Sequence, residues 1–200
     1  MTTSLEAAQQ IVEKFSMYVT AQPREFRGEI TLELDRHKIN EVCLFARDTL
    51  KFDFLVDISG VDNLNTPLEV KGRFELVYEL YSYSHRIHLR LKVRIPEEKP
   101  LVSTVSDIWK TADWHEREVY DMLGIKFDQH PDLRRILMWD GYPYYPLRKD
   151  FPLAGKTTDL PEVAFSKPAP LEGGPFVTEP GHDLVHEREP RAKTFEEVKE

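Results

Sequence analysis

The chain has 200 residues, is 40% apolar and carries a formal net charge of -8 at pH 7. That is enough for one domain with a substantial core plus an extension, and too little for two full domains. The acidic balance argues against a nucleic-acid partner, because phosphate binding needs a basic surface. Cys43 is the only cysteine, so this chain alone cannot form an intramolecular disulfide or ligate a four-cysteine iron-sulfur cluster.

Membrane insertion and cofactor binding both lack their usual sequence signals. No apolar run approaches the roughly 18 residues of a membrane-spanning helix, and the first residues lack the basic start and apolar core of a signal peptide. We therefore expect no direct insertion into a membrane. Neither G-x-G-x-x-G after a strand nor G-x-x-x-x-G-K-[ST] occurs, so the common phosphate-binding loops are missing. Together with the single cysteine, this predicts a chain without a cofactor of its own.

The first half of the chain predicts two helices and four strands. Apolar residues from Leu5 to Val19 recur at helical spacing and predict a helix that ends before Pro23. A second helix is predicted from Lys38 to Leu50, with Cys43 as a small buried residue. Alternating apolar residues predict strands over 30–34, 52–58, 74–81 and 86–95, the last two joined as a hairpin through 82–85.

The strand from Arg86 to Ile95 alternates apolar with basic residues, so its two faces differ in charge. The basic face has two interpretations. It is either a docking surface for an acidic partner or a solvated face whose charges pair with Glu75 and Glu79 on the neighbouring strand. We favour the second interpretation.

The second half of the chain begins with helix and ends without regular structure. Residues 103–124 are predicted to be helical, either as one helix or as two with Asp113 capping the second. Nine of the 14 prolines lie after Asp140, and isolated apolar residues are spaced along this tail. The whole pattern predicts an α+β fold, with a small mixed sheet of about four strands and packed helices over 1–150, followed by an extended Pro-rich C-terminal arm over 151–200.

Glu116 lies on the apolar stripe of the predicted third helix. A carboxylate in that position must either be paired or have a raised pKa, because an unpartnered buried charge costs several kcal/mol. We expect Arg134 and Arg135 to be its counter-ions, since turns at Gly124 and His130 bring them back toward the helix.

Metal binding and catalysis are poorly supported by the same region. The pair His115-Glu116 resembles the start of the zinc motif H-E-x-x-H, but Val119 occupies the position of the second histidine. No nucleophile with an adjacent base is evident. An independent hydrolase using His115, Glu116 and His130 is therefore kept only as a remote alternative.

Three motifs in fixed order resemble the signature of the 30 kDa subunit of respiratory complex I. They are Glu116–Ile125 (EREVYDMLGI), His130–Leu137 (HPDLRRIL) and Pro146–Pro152 (PLRKDFP). The segment 141–145 (GYPYY) departs from the short Gly-containing approach that the family usually has before the third motif. The signature covers about 115–150, and the rest of the chain resembles the family only in its pattern of elements.

The resemblance implies a cofactor-free structural and assembly subunit of the hydrophilic arm of a proton-translocating NADH:quinone oxidoreductase. Electrons would pass from NADH through FMN and Fe-S clusters to quinone in partner subunits, so this chain belongs to an enzyme complex without being catalytic itself. The expected partners are the quinone-site subunit of the 49 kDa type and neighbouring Fe-S subunits, with the arm wrapping them. The expected location is peripheral, on the cytoplasmic side of the energy-coupling inner membrane.

The resemblance also marks signature residues as structural ion pairs or interface contacts. They are Glu116, Arg117, Glu118, Asp121, His130, Asp132, Arg134, Arg135, Arg148, Lys149 and Asp150. The signature leaves open an alternative from the same superfamily, the equivalent subunit of a membrane-bound [NiFe] hydrogenase or of a ferredoxin-driven relative.

Overall fold

The computed structural model describes residues 2–153, 155 and 156. The chain up to Asp150 forms one compact unit. Nearly all of the predicted arm over 151–200 lies outside the described residues, so the arm and its boundary stay predictions.

Three helices and seven strands make up the described unit. The helices are α1 Ser4–Lys14, α2 Ile39–Asp48 and α3 Ala112–Leu123. The strands are β1 Val19–Phe26, β2 Glu29–Leu34, β3 Phe54–Asp62, β4 Phe74–Ser82, β5 Ile87–Ile95, β6 Leu101–Ser103 and β7 Lys126–Asp128.

The main sheet has five strands in the order β1-β2-β5-β4-β3. Its β2–β5 pair is parallel and its other pairs are antiparallel, while β6 and β7 form a separate parallel pair. The predicted α+β class with a mixed sheet is therefore confirmed. The strand count was too low, because β1 and the two short strands were not predicted.

One hydrophobic cluster joins the helices to the sheet. Alternate residues of β5, from Leu89 to Ile95, are buried together with Ala8 of α1 and Cys43 of α2. The burial of Cys43 agrees with its prediction as a core residue. The predicted hairpin of β4 and β5 is also present, with Ser82 opposite Ile87.

The basic residues of β5 are paired, as the favoured interpretation predicted. Lys92 Nζ lies 2.8 Å from Glu75 Oε1, and Arg90 contacts both Glu79 and, at 2.8 Å, Glu29 of β2. Cross-strand charge pairs of this kind stabilise a sheet by about 0.2 to 1 kcal/mol each. The face needs no acidic partner to explain its charge.

The first helix is shorter than predicted, because it ends at Lys14 and is followed by a short 3-10 helix over Ser16–Tyr18 and then by β1. Pro23 is tolerated in β1 because this strand lies at the edge of the sheet, where one missing N–H breaks no ladder. Arg27 and Gly28 have positive φ angles of 52° and 83°. Two such residues form the tight turn that joins β1 to β2 as a hairpin.

The predicted helix over 103–124 exists only from Ala112 onward. The preceding residues form β6 and a turn in which the Ile108 and Trp109 N–H groups both donate to the Val105 carbonyl at 3.0 Å. The N-cap residue is Thr111, without a side-chain cap, so the prediction that Asp113 caps the helix is wrong. Pairing of β6 with β7 holds the backbone before α3 in a non-helical conformation.

Gly124 ends α3 in the left-handed conformation, with φ 78°. A Cβ atom at this position would lie 2.6 Å from Arg148 Nη2 and 2.7 Å from the Tyr145 ring. Glycine is thus required both by the backbone conformation and by the close approach of the third signature motif. Within the described part of the chain, no helix is long and apolar enough to cross a membrane.

Candidate functional site

The signature folds around three charged clusters, which we call the Glu116, Asp121 and Arg73 clusters. The Glu116 cluster consists of Glu116, Thr104, Val105, His130 and Asp113. Glu116 has no exposed surface. Its Oε1 accepts the Val105 N–H at 2.7 Å, and its Oε2 accepts the Thr104 hydroxyl at 2.5 Å. Backbone and hydroxyl donors, rather than cations, therefore satisfy this carboxyl group.

The predicted pairing of Glu116 with Arg134 and Arg135 is wrong. Arg135 Nη1 instead lies 2.5 Å from Asp121 Oδ1, and Arg134 pairs with Asp132 at 2.8 Å. Glu116 and Asp121 are five positions apart on α3, which separates their directions by about 140° around the helix axis. An arginine that reaches one of these carboxylates is directed away from the other.

His130 lies beside Glu116 with its side chain fully buried. Its Nδ1 accepts the Asp132 N–H at 3.1 Å, and its Nε2 lies 3.8 Å from Glu116 Oε2. The same Nε2 is 3.3 Å from the Asp113 carbonyl oxygen and 3.2 Å from its carboxylate. Because Nδ1 accepts a hydrogen bond, we assign the ring proton to Nε2 and the neutral form to the imidazole.

Burial raises the pKa of Glu116 from 4.5 to about 7. The hydrogen bonds from Thr104 and Val105 act in the opposite direction, and the nearby carboxylates of Asp107 and Asp113 add to the increase. The pKa of this side chain therefore lies well above that of a carboxylate held in an ion pair.

Replacing Glu116 with glutamine should remove a pH dependence of stability. The carboxyl pKa is higher in the folded chain, so the unfolded chain releases its proton first and native stability falls as pH rises from about 4.5 through about 7. This pKa difference corresponds to about 3 kcal/mol in the free energy of unfolding. Between acid and pH values above 7, the stability of the variant relative to the wild type should therefore rise by about this amount. Urea unfolding of both proteins between pH 4 and pH 8 measures this.

Glutamine keeps the hydrogen bonds of this site, since its carbonyl accepts from Val105 and its amide donates to the Thr104 hydroxyl. Glu118→Gln is the matched control, because Glu118 is exposed on the same helix. Its stability relative to the wild type should vary little with pH. A Glu116→Gln variant that is less stable than the wild type above pH 7 would show that Glu116 acts as a paired carboxylate.

The Asp121 cluster organises the loop after α3 and consists of Asp121, Arg135 and the backbone they bind. Asp121 is fully buried, and its Oδ2 accepts the N–H groups of Ile136, Leu137 and Met138 at 3.0, 2.7 and 2.8 Å. Arg135 also donates to the carbonyls of Asp121, Tyr142 and Tyr144. Burial favours a higher pKa for Asp121, but these hydrogen bonds outweigh it and hold the pKa below its ordinary value.

Two further arginines of the signature bind carbonyl oxygens. Arg117 donates to the carbonyls of Arg134 and Arg135, both at 3.2 Å. Arg148 Nε donates to the Leu123 carbonyl at the end of α3 at 2.6 Å, and its guanidinium lies 4.5 Å from the Tyr145 ring centre. These contacts satisfy backbone acceptors that a loop without regular structure leaves unpaired.

The Arg73 cluster was not predicted from the sequence. Arg73 is 5% exposed, and its Nε and Nη2 bind the two carboxylate oxygens of Asp62 at 3.1 and 2.9 Å. It also pairs with Glu97 at 2.5 Å and with Asp150, the end of the signature, at 2.8 Å. The Lys149 N–H donates to the same Asp62 at 2.8 Å. In the sequence, Asp62 and Arg73 lie outside the predicted strands 52–58 and 74–81, and only the observed pairing of β3 with β4 brings them together.

The arrangement does not support the hydrolase alternative. His115 Nδ1 faces Asp57 of β3 at 3.1 Å, whereas the side chains of Glu116 and His130 are fully enclosed and out of reach of a substrate. In the part of the chain that the structure describes, no group of three or more His, Cys, Asp or Glu side chains is arranged to hold a metal ion. The side chains of Arg117, Asp121 and Arg135 instead bind backbone groups of the segment after α3.

Comparisons with known proteins match the part of the chain that contains the signature. The model of the family described as respiratory-chain NADH dehydrogenase, 30 Kd subunit, matches residues 32–157. The C subunit of NADH-quinone oxidoreductase from Geobacter sulfurreducens is 42% identical over 155 residues, which cover 78% of this chain and 93% of that protein. The C subunit numbered 2 of the same enzyme from Rhizobium meliloti is 48% identical over 138 residues, covering 68% and 72%.

Two solved structures share the fold. A trypsin-resistant fragment of Nqo5 matches with a TM-score of 0.56 at 33% identity, covering 64% of this chain and 99% of the fragment. A chain of the membrane-bound sulfane sulfur reductase, an archaeal respiratory membrane complex, matches with a TM-score of 0.62 at 29% identity, covering 74% and 85%.

Proposed function

Because the chain belongs to the family of the 30 kDa subunit of respiratory-chain NADH dehydrogenase, we propose that it is a structural and assembly subunit in the hydrophilic arm of a proton-translocating NADH:quinone oxidoreductase. The observation that carries the structural role is the internal use of Asp121, Arg135 and Arg148, which bind backbone groups and one another rather than lining a cleft. Relatives named as NADH-quinone oxidoreductase subunits favour this function over the equivalent subunit of a hydrogenase or a ferredoxin-driven complex.

In this proposal the chain takes no part in the redox chemistry. Electrons pass from NADH through FMN and Fe-S clusters in partner subunits to quinone. Burial raises the pKa of the Cys43 thiol, with smaller contributions from the Glu116 and Asp107 carboxylates. A buried, protonated thiol is a poor metal ligand, because metals bind the thiolate.

The proposed partners are the quinone-site subunit of the 49 kDa type and neighbouring Fe-S subunits, with the arm over 151–200 wrapping them. Large apolar side chains are exposed around the signature, including Trp114 at 66%, Leu137 at 62% and Leu147 at 59%. Exposed aromatic and other large apolar side chains are frequent in protein interfaces. We place the chain peripherally, on the cytoplasmic side of the energy-coupling membrane.

Purification through a tag on this chain tests the proposal. We expect the quinone-site subunit and Fe-S subunits to be recovered, with FMN and iron in the assembly but no stoichiometric flavin, iron or zinc in the isolated chain. Stoichiometric metal in the isolated chain would contradict the cofactor-free role. Recovery with a nickel-iron hydrogenase subunit would instead support the alternative from the same superfamily.

A further inference from the structure

The main sheet ends in two edge strands, β1 and β3, and the two edges differ. Among the described residues, no strand pairs with the outer side of either one. An unpaired edge presents a row of backbone N–H and C=O groups that another chain can bind, and folded proteins usually block it.

The β1 edge is blocked. It contains Pro23, and its register with β2 is irregular between Val19 and Ala21 and again between Ala21 and Arg24. Prolines and bulges are the features that prevent strand addition at an edge. No second strand is expected to continue the sheet on this side.

The β3 edge is regular over most of its length. Its one irregularity, at Val56, precedes an unbroken register with β4 from Asp57 to Asp62. The strand contains no proline, and its exposed residues include Phe54, Val56 and Val61, at 37%, 41% and 38% exposure. This edge is long enough and apolar enough to accept a further strand.

A groove runs beside this edge, between β3 and α3. Its apolar wall comes from Ile58, Met122, Leu123 and Leu147, and its acidic residues are Asp57 and Glu118. Helix and strand are in close contact along it, since a Cβ atom at Gly60 would lie 2.3 Å from Leu123 Cδ1. A chain paired with β3 would find main-chain partners on the strand and side-chain pockets against the helix.

We propose that the outer edge of β3 binds an extended segment of a neighbouring subunit, which adds to the sheet as a sixth strand and carries basic and apolar side chains. The apolar residues fit the groove wall, and the basic residues complement chiefly Glu118, which is exposed, and then Asp57, which the His115 ring also approaches at 3.1 Å. Strand addition obtains affinity from main-chain hydrogen bonds and specificity from alternate side chains. The inference rests on the proposed function, because it takes the occupant from the subunits of the same assembly.

Charge argues against a second copy of this chain as the occupant. Pairing of two β3 edges around a twofold axis would bring the acidic groove of one copy against the acidic groove of the other. Like charges facing each other oppose association, whereas a basic segment would be attracted. The acidic groove therefore favours a different, basic chain.

Hydrogen exchange on the tagged assembly and on the isolated full chain tests the inference. We expect amides over 57–62 to exchange about tenfold or more slowly in the assembly, because the outward N–H groups of the edge become hydrogen bonded. A peptide over 19–26, on the blocked edge, should exchange at similar rates in both. Equal rates over 57–62 would overturn the inference.

A photo-crosslinking amino acid in place of Ser59, which is exposed on β3, identifies the occupant. We expect one main product, to a segment of another subunit rich in Lys, Arg and apolar residues. Glu118→Lys should lower its yield several-fold, while the control Glu13→Lys on the exposed side of α1 should not. A product joining two copies of this chain would overturn the inference.

The two proposals fail in distinguishable ways. If the wild-type chain recovers no oxidoreductase subunit, the proposed function is contradicted and the inference falls with it. If those subunits are recovered normally while the β3 edge stays unprotected, the inference alone is wrong.

Discussion

Replacing Asp121 with alanine is expected to lower the free energy of unfolding by about 3 to 5 kcal/mol, the usual cost of removing one partner of a buried ion pair. The change leaves the Arg135 side chain, which is 10% exposed, without its carboxylate. It also removes the acceptor of three consecutive N–H groups from Ile136 to Met138. Urea unfolding followed by circular dichroism at pH 7 measures the loss.

Glu118→Ala is the matched control for Asp121→Ala, since Glu118 is exposed on the same helix; we expect a change within about 0.5 kcal/mol. The pKa of Asp121 is lowered in the folded chain, so its stabilisation is present above the unfolded pKa and is lost as pH falls through the folded one. The difference between wild type and Asp121→Ala should therefore narrow in strong acid. A loss below about 1 kcal/mol at pH 7 would mean that the loop does not depend on this carboxylate.

Replacing Arg73 with methionine is expected to cost a similar amount, about 3 to 5 kcal/mol. Asp62 would remain, 5% exposed, with only the N–H groups of Leu64 and Lys149 as donors. Although burial opposes it, hydrogen bonds led by the one from Arg73 hold the pKa of Asp62 below its ordinary value. Without the arginine, the buried Asp62 carboxylate has no counter-ion and lowers the free energy of unfolding. Unfolding at pH 7 should therefore occur at a lower urea concentration.

Two further variants separate a buried charge from a lost contact at Arg73. The double variant Asp62→Asn with Arg73→Met should recover part of the loss, because no charge is then left buried. Arg90→Met removes an arginine that also binds two carboxylates but is 28% exposed, so it should cost about 1 kcal/mol or less. Equal losses for Arg73→Met and Arg90→Met would contradict the distinction between buried and exposed pairs.

The sequence predicted best where local pattern and tertiary contacts agree. The strict alternation of β5 identifies its buried face, and the predicted hairpin with β4 identifies Glu75 and Glu79 as its charge partners. The hydrophobic pattern did not predict β1, which is paired with β2 in the structure. Of that hairpin, only Gly28 left a turn signal in the sequence.

The signature residues of the candidate site were predicted from the sequence, but their pairings and the residues outside the signature were not. The apolar stripe correctly placed Glu116 in the interior, yet its donors, Thr104 and Val105, come from a turn that the spacing predicted as helix. The angle of about 140° between Glu116 and Asp121 around the helix axis indicates that one arginine cannot bind both, but only the structure shows that Arg135 binds Asp121. Arg73 could not have been found this way, since only the β3–β4 register brings it to Asp62.

The hydrogen bonds of Asp121 and Arg73 have a consequence for the order of folding. Asp121 binds residues only 14 to 17 positions away, whereas Arg73 and Asp62 bind Asp150 and Lys149 across 77 and 87 positions. Short loops close faster and at lower entropic cost than long ones. We therefore expect the loop around Asp121 to form as soon as α3 is present. The attachment of Lys149 and Asp150 to the sheet should be among the last steps of folding. The segment that leads into the predicted arm is then fixed only when the whole domain is complete.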